Sequence, residues 1–357
     1  MKWIELAASG DVPQARSSHS LTAIGDTLYL WGGEHAPRVP LGGDLYAYSL
    51  AQQTWRKVAV QGEPPSLRNA HAAAALGSDL YIFGGRSGID IGEGSLNDLW
   101  RFDTTAATWQ QVHPAAGSPL PLRRSYHRLE AAGGKLYMFG GCGEGCTGRL
   151  ADLWEFDPAA LTWRQLQSSD AIKGRGGAGF AATPGALWVI AGFTGQEMND
   201  VHRFDLATDT WDCPRCCSHG GDASVAARDG DGAATGGAAA AAPACGHGDA
   251  VELPARSVCA VAAHGCSACV HANHVVVFGG EVDPSTLGHA GAGAYDNDCY
   301  CLDTACQHWH RMAPAGSPPA PRGWLAAAAC SRGIVIHGGN GISNERLGDM
   351  WLLEMHD

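Results

Sequence analysis

The stretch Leu28-Tyr29-Leu30-Trp31-Gly32-Gly33, followed by Asp44-Leu45-Tyr46 and then by Trp55, defines a unit that recurs along this chain of 357 residues. Each copy has an apolar run, a glycine pair, a loop, a short strand that opens with Asp, and in all but the last copy a later Trp. The pairs are Gly32-Gly33, Gly84-Gly85, Gly140-Gly141, Ala191-Gly192, Gly279-Gly280 and Gly338-Gly339. A repeat of about fifty residues with this pattern predicts four-stranded sheets arranged radially as the blades of a β-propeller.

The two ends of the chain complement each other. No Trp follows Trp351 in the sixth copy, whereas Trp3 has no unit in front of it. We therefore expect the segment 2–6 to supply the outermost strand of the last blade, because this pairing removes two exposed sheet edges. The prediction is an all-β propeller of six four-stranded blades, forming one domain over residues 1–357 and closed by the N-terminal strand.

These units resemble kelch repeats, and the chain resembles a kelch β-propeller over nearly its whole length. The residues that carry the resemblance also have structural roles. Paired glycines permit positive φ and close backbone approach, and one Trp per blade supplies a large apolar area between sheets. We therefore expect the repeated Gly and Trp residues to build the fold.

Composition restricts the partners and the location. The formal net charge is -12 and the sequence pI is about 5.7, which argues against nucleic acid or an anionic membrane as the partner. The sequence shows neither an apolar run of about 18 residues nor a signal peptide. Its 13 cysteines do not recur at matching repeat positions. We expect reduced thiols and a cytoplasmic location, with the nucleus as the alternative.

An insert over residues 212–255 separates the fourth and fifth units. It is rich in Gly and Ala and poor in large apolar groups, so we expect a flexible loop. Cys213 and Cys216 form a Cys-x2-Cys pair, and Cys266 and Cys269 form another. Zinc binding is the alternative interpretation of these pairs.

An arginine precedes the innermost strand of every predicted blade. The six are Arg16, Arg68, Arg124, Arg175, Arg256 and Arg322. Three of them are followed by His19, His71 and His127, for which buried contacts with loop backbone are expected. Two interpretations of the arginines stay open. They hold neighbouring blades together through loop carbonyls, or they surround the channel mouth and bind an anionic ligand.

The loop that follows Gly279-Gly280 resembles a loop of the plant specifier proteins, the epithiospecifier, nitrile-specifier and thiocyanate-forming group. Their iron motif is Glu-x3-Asp-x3-His, which Glu281 and His289 match, while Ser285 stands in the position of the Asp. Trp324, in Pro321-Arg322-Gly323-Trp324, matches an aromatic residue near that site.

The resemblance implies Fe(II) as a cofactor and substrate contacts by Arg68 and Arg124. Asp283 is an alternative carboxylate for the missing Asp. In the competing interpretation, Glu281 and Asp283 cap the loop and His289 holds it by hydrogen bonds.

Three functions are compatible with these observations. The chain is predicted to be a binding protein related to the specifier group, which presents a loop-rich, Arg-lined face to a protein partner or to a small anionic ligand. The alternative is an Fe(II)-dependent nitrile-specifier-like protein that acts on glucosinolate-type aglucones or similar thiohydroximates. Whether the protein is an enzyme stays open.

Overall fold

The propeller has six four-stranded antiparallel sheets. The computed structural model describes residues 1–88, 93–214, 251–257, 259–265, 273–284 and 293–355. The strands of the first three blades, from the channel outward, are Ser20–Ile24, Thr27–Trp31, Tyr46–Ser49 and Thr54–Lys57; Ala72–Leu76, Asp79–Phe83, Leu99–Asp103 and Thr108–Val112; and Arg128–Ala132, Lys135–Gly143, Arg149–Asp157 and Thr162–Gln165.

The other three blades follow the same order. Their strands are Gly179–Thr183, Ala186–Phe193, Glu197–Asp205 and Thr210–Asp212; Ala260–Gly265, Asn273–Phe278, Cys299–Asp303 and His308–Met312; and Ala326–Cys330, Gly333–Asn340, Arg346–Glu354 and Lys2–Glu5. Short extra elements lie in the loops: the strands Glu34–Ala36, Val39–Pro40, Arg124–Ser125, Glu281–Asp283 and Ala294–Tyr295, and a 3-10 helix at Gly145–Thr147.

The hydrophobic core is divided among the blade interfaces. Six clusters of buried residues each combine side chains from two neighbouring blades. The repeated Trp residues enter these clusters, and Trp55, Trp109 and Trp163 are at most 3% exposed. The predicted packing role of the tryptophans follows from this geometry, because each large ring fills the space between two twisted sheets.

The N-terminal strand closes the ring as predicted. Lys2 lies opposite Glu354 and Glu5 opposite Trp351 in an antiparallel ladder. Trp3 is 6% exposed, and its ring centroid lies 4.9 Å from that of Phe278 in blade 5. The last blade therefore joins the two ends of the chain.

The glycine pairs are required by close backbone approach. Gly84 and Gly85 have φ angles of 59° and 93°, in the left-handed region. A Cβ atom on Gly84 would lie 2.9 Å from the Arg124 carbonyl oxygen, and one on Gly85 would lie 2.8 Å from that of Asn69. Larger residues at these positions would push neighbouring blades apart.

Several residues named in the sequence analysis lie outside the described residues. They are residues 215–250 of the predicted insert, Cys266 and Cys269 of the second cysteine pair, and Ser285 and His289 of the iron motif. Within the described ranges, no helix has the length and apolar character needed to cross a bilayer.

Candidate functional site

The six repeated arginines form a buried framework. Each is at most 3% exposed, and each donates a hydrogen bond to the carbonyl of the first residue of its blade's glycine pair. Five also form two-pronged ion pairs with an Asp from the third strand or its approach. These pairs are Arg68–Asp98, Arg124–Asp152, Arg175–Asp200, Arg256–Asp296 and Arg322–Asp349.

This arrangement corrects the expectation that the arginines surround the channel mouth. Their guanidinium groups lie inside the blades, where protein oxygens satisfy them. Arg68 and Arg124 in particular are 0% exposed, so a ligand at the mouth does not reach either side chain in this structure. The first interpretation, in which they hold loop carbonyls, describes their geometry.

The ion pairs with the arginines change the pKa of the partner Asp carboxylates. Burial alone would raise the pKa of Asp152, but the hydrogen bonds and charge of Arg124 outweigh it and lower that pKa. The same balance lowers the pKa of Asp98 and Asp349. Asp296 differs, because burial and the neighbouring Asp298 raise its pKa despite its bonds to Arg256, which measure 3.0 and 3.2 Å.

Blade 1 departs from the pattern. Arg16 donates to the carbonyls of Gln14 and Gly32 and lies 5.5 Å from the centre of the Tyr46 ring. Asp44 forms an ion pair with the exposed Lys57 at 2.8 Å instead. Burial lowers the pKa of Arg16 to about 10.

The three predicted histidines pack between blades. His71 and His127 face Gly32 and Gly84 of the preceding blade, and His19 faces Gly338. Burial lowers the pKa of His71 to about 3 and that of His19 and His127 well below the usual value. These side chains are therefore neutral packing groups at neutral pH.

A run of four backbone hydrogen bonds among the described residues follows the channel opening. It passes through residues that follow the framework arginines by two positions. Ser18 donates to the Trp324 carbonyl, Ala70 to that of Ser18, Tyr126 to that of Ala70 and Gly177 to that of Tyr126. Their side chains differ in every blade, although the backbone geometry repeats.

A ring of residues lies just outside this run. Its members directly follow the glycine pairs, and in each blade they pair with the residue after the framework arginine. They are Glu34, Arg86, Cys142, Phe193, Glu281 and Asn340. We call this run and this ring together the collar mouth. Its chemistry changes from blade to blade, whereas the framework beneath it is nearly constant.

Basic groups gather on one side of the collar mouth. Arg346 donates to the Glu34 carboxylate at 3.0 Å, and both side chains are at most 2% exposed. Glu34 also accepts hydrogen bonds from the Asn69 side chain and the Arg38 backbone. The Tyr126 phenol lies within electrostatic reach of Arg38 and Arg86 as well as of Glu34.

Aromatic groups meet over the opening. The rings of Tyr126 and Trp324 pack edge to face, with centroids 5.5 Å apart. Trp324 and Asn340 donate side-chain hydrogen bonds to the phenol of Tyr295, whose pKa is raised by burial and by the charge of Glu281. This places Trp324, named in the sequence analysis, at the collar mouth beside Tyr126 and Tyr295.

The opposite side is acidic. Glu281 is 8% exposed, and its Oε1 atom occupies the space that a side chain on Gly293 would need. Glu197 accepts a hydrogen bond from Ser257 at 3.2 Å, and its pKa is raised by burial and by the charge of Asp283. Within the described part of the chain, no three His, Cys, Asp or Glu side chains are close enough together to hold a metal ion.

Buried polar atoms at the collar mouth are incompletely paired. Five have no hydrogen-bond partner among the described residues: Ser18 Oγ, Arg38 Nε, Asn69 Oδ1, Asn340 Oδ1 and Arg346 Nε. Buried polar groups normally have partners, so this region is suited to a polar ligand or ordered water.

Sequence reasoning missed most of this site. The repeat pattern does not mark Arg86, Arg346, Glu34 or Tyr126, because none of them belongs to the repeated motif. The signal was present in the register of the repeat. The position after each glycine pair carries five residue types in six copies, with Glu at both 34 and 281, and a position that escapes the structural pattern is a candidate for function.

Comparisons with known proteins agree with the fold. A family model described as the KLHDC2/KLHL20/DRC7 Kelch-repeats domain matches residues 21–230 and 250–357. The chain is 27% identical over 381 residues to N-(sulfonatooxy)prop-2-enimidothioate sulfolyase of Thlaspi arvense, covering 99% of this chain and 97% of that protein.

One further relative and one solved structure cover different extents of the chain. Kelch domain-containing protein 3 of Bos taurus is 32% identical over 180 residues, which are 49% of this chain and 46% of that protein. A solved structure described as "Structure of YjhT" has a TM-score of 0.65 and covers 96% of each chain at 16% identity, a likeness in fold alone.

Proposed function

Because the chain belongs to the kelch-repeat family described as KLHDC2/KLHL20/DRC7 and is related over its whole length to a plant sulfolyase, we propose that it binds a small organic anion at the collar mouth. The observation that carries the proposal is the divergence of the collar positions above a nearly constant framework. Folding alone gives no reason for five different residue types at six equivalent positions.

The chemistry of the mouth suits a ligand that has an anionic group at one end and an aromatic ring at the other. Arg38 and Arg86 provide guanidinium donors, which match planar or tetrahedral oxyanions, while Arg346 is held by its ion pair with Glu34. Tyr126 and Trp324 provide an aromatic surface beside them. The relative from Thlaspi arvense is named for a sulfonatooxy compound, an organic anion of this class.

The test is a calorimetric titration with phenyl sulfate, with inorganic sulfate as the comparison ligand. We expect one site, and we expect phenyl sulfate to bind more tightly because its ring contacts the aromatic side. Arg86→Gln is expected to weaken binding by about tenfold, the loss typical of a charge-assisted contact. Arg101→Gln is the matched control, since Arg101 lies in the same blade but pairs with Asp79.

Equal weakening by both substitutions, or equal affinity for the two ligands, would contradict the proposal. Thermal melting of each variant separates a binding defect from misfolding. A protein partner on the loop face stays a prediction, and absence of any small-anion binding by folded protein would favour it.

A second candidate function rests on the acidic side. Glu281 offers an oxygen donor that suits a ferrous ion, and by the sequence motif His289 would add a nitrogen donor. The candidate is an Fe(II)-dependent activity of the specifier type on a sulfonatooxy thiohydroximate. The sequence places Ser285 at the remaining position of the motif, so an Asp283 ligand is the alternative to be tested.

An anaerobic ferrous iron titration decides between the two functions. Stoichiometric binding that is lost in Glu281→Gln and in His289→Ala, but kept in the exposed control His113→Ala, would support the iron site. Absence of binding by the wild-type protein would remove the iron candidate and leave anion binding unaffected.

A further inference from the structure

The innermost strands lining the channel are built almost entirely from small and apolar residues. Five of them read SLTAI, AAAAL, GFAAT, AVAAHG and AAAAC, and none carries Asp, Glu, Lys or Arg. The innermost strand of blade 3 is the exception, because it reads RLEAA and supplies Arg128 and Glu130.

Arg128 and Glu130 share one face of their strand, because side chains two residues apart point the same way. Both line a channel cavity of about 80 Å³ together with His19 and His71. A smaller cavity of about 40 Å³ shares Arg128 and these histidines and extends to Trp324 at the collar mouth. Since about 10–15 Å³ holds one water, the larger cavity has room for several.

The two charged groups are not neutralised by ion pairs. Arg128 Nε donates to the Ala178 carbonyl at 2.6 Å, and among the described residues its guanidinium group interacts with Glu130 and Cys259 through their charges, without an ion-pair contact. Glu130 interacts with Arg128 in the same way and accepts no hydrogen bond from the described residues. Both side chains are half-buried and face the cavity without an ion-pair partner, so the pair is suited to a polar guest.

The groups around the cavity leave a net positive charge at neutral pH. Burial raises the pKa of Glu130 to about 8, and the charge of Arg128 opposes only part of that shift. His19 and His71 are neutral because burial lowers their pKa, and burial raises the pKa of the Cys259 thiol, which also lines the cavity. Glu130 is then mainly a neutral hydrogen-bonding carboxyl.

We propose that the channel holds a small 2-hydroxy carboxylate such as glycolate, with its carboxylate on Arg128 and its hydroxyl against Glu130. This site uses Arg128 and Glu130, which are not among the anion-binding residues proposed for the collar mouth. The cavity excludes larger aromatic anions by volume, so the two sites take ligands of different size.

Equilibrium dialysis with radiolabelled glycolate tests the site on the full chain. We expect one saturable site, and Arg128→Met is expected to weaken binding by at least about tenfold because the charge-assisted pair is lost. Arg56→Met is the matched control, since Arg56 is an exposed residue of an outermost strand. Arg86→Gln should leave glycolate binding unchanged, which separates this site from the collar mouth.

The pH dependence provides a second arm. Between about pH 6 and pH 9, wild-type affinity is expected to fall as Glu130 ionises and repels the carboxylate, whereas Glu130→Gln should keep its affinity across that range. If Arg128→Met does not fold, the comparison of wild type with Glu130→Gln across this pH range tests the proposal.

Glycolate binding that persists unchanged in folded Arg128→Met would overturn the proposal. So would a pH dependence that is the same in wild type and Glu130→Gln, or no saturable binding below about 10 mM.

Discussion

The framework arginines and the collar mouth are neighbours in sequence but differ in how they vary. Arg124 is completely buried and bonded to Asp152, whereas Tyr126, two residues later, lies at the channel opening. The framework position is Arg in all six blades, and the mouth position is different in each described blade. The repeated residues therefore define the scaffold, and the residues that break the repeat define the surface available for function.

The largest expected effect concerns closure of the scaffold. Deleting residues 1–8 removes the strand Lys2–Glu5 and with it Trp3 and Leu6, which are buried. Loss of one large buried aromatic costs about 3–5 kcal/mol, so the deletion should cost more and greatly lower the melting temperature. A melting temperature equal to that of the full chain would show that the terminal strand does not hold the ring together.

Adjacent arginines offer the sharpest comparison of framework and surface. Arg124→Met leaves the Asp152 carboxylate buried without its partner, and we expect a loss of about 3–5 kcal/mol in the free energy of unfolding. Arg123→Met removes a side chain that is 54% exposed and should change that free energy by less than about 0.5 kcal/mol. Urea unfolding at neutral pH measures the free energy of unfolding of both variants. Similar losses in Arg124→Met and Arg123→Met would contradict the distinction between framework and surface arginines.

The Arg–Asp pairs of the framework should not contribute equally to stability. Asp152 has a lowered pKa, so it stabilises the fold above its ordinary pKa, and this contribution is lost as the pH falls through its folded pKa. Asp296 has a raised pKa and makes the opposite contribution. Asp152→Asn should therefore destabilise the protein at neutral pH by at least about 1 kcal/mol more than Asp296→Asn. Equal effects in urea unfolding would argue against a difference between blades 3 and 5.

Glu130 should give the smallest effect on stability and one of the opposite sign. Its raised pKa means that ionisation opposes folding, so stability falls as the pH rises from the ordinary Glu value toward about 8. Glu130→Gln should melt a few degrees above wild type at alkaline pH. It should match wild type in acid, where both side chains are neutral. Parallel melting curves at all pH values would contradict this account of the channel.

The sequence predicted the scaffold well because its physical requirements repeat. A glycine pair without room for Cβ atoms, a Trp between sheets and a terminal strand that completes a blade all leave recognisable residues. The function of the arginines was harder to predict, since the same guanidinium group binds a carbonyl, a carboxylate or a ligand equally well. Burial and the partner Asp distinguish these cases, and both are known only in three dimensions.

The site was predicted in part. Trp324 and Glu281 were found through a resemblance and do lie at the mouth. Arg86 and Arg346 come from different blades, and only the circular arrangement brings their loops together. Arg128 and Glu130 were missed because a charged pair in one innermost strand stands out only when all six strands are aligned by register.

The most direct test of the central claim is fluorine NMR of the protein labelled with 5-fluorotryptophan during titration with phenyl sulfate. The chain has 12 tryptophans, and Trp324→Phe identifies the resonance of Trp324 by its loss. We predict a saturable shift of that resonance, while the resonances of the core residues Trp109 and Trp163 stay unchanged. A saturable shift of these core tryptophans with no change at Trp324 would contradict the assignment of ligand binding to the collar mouth.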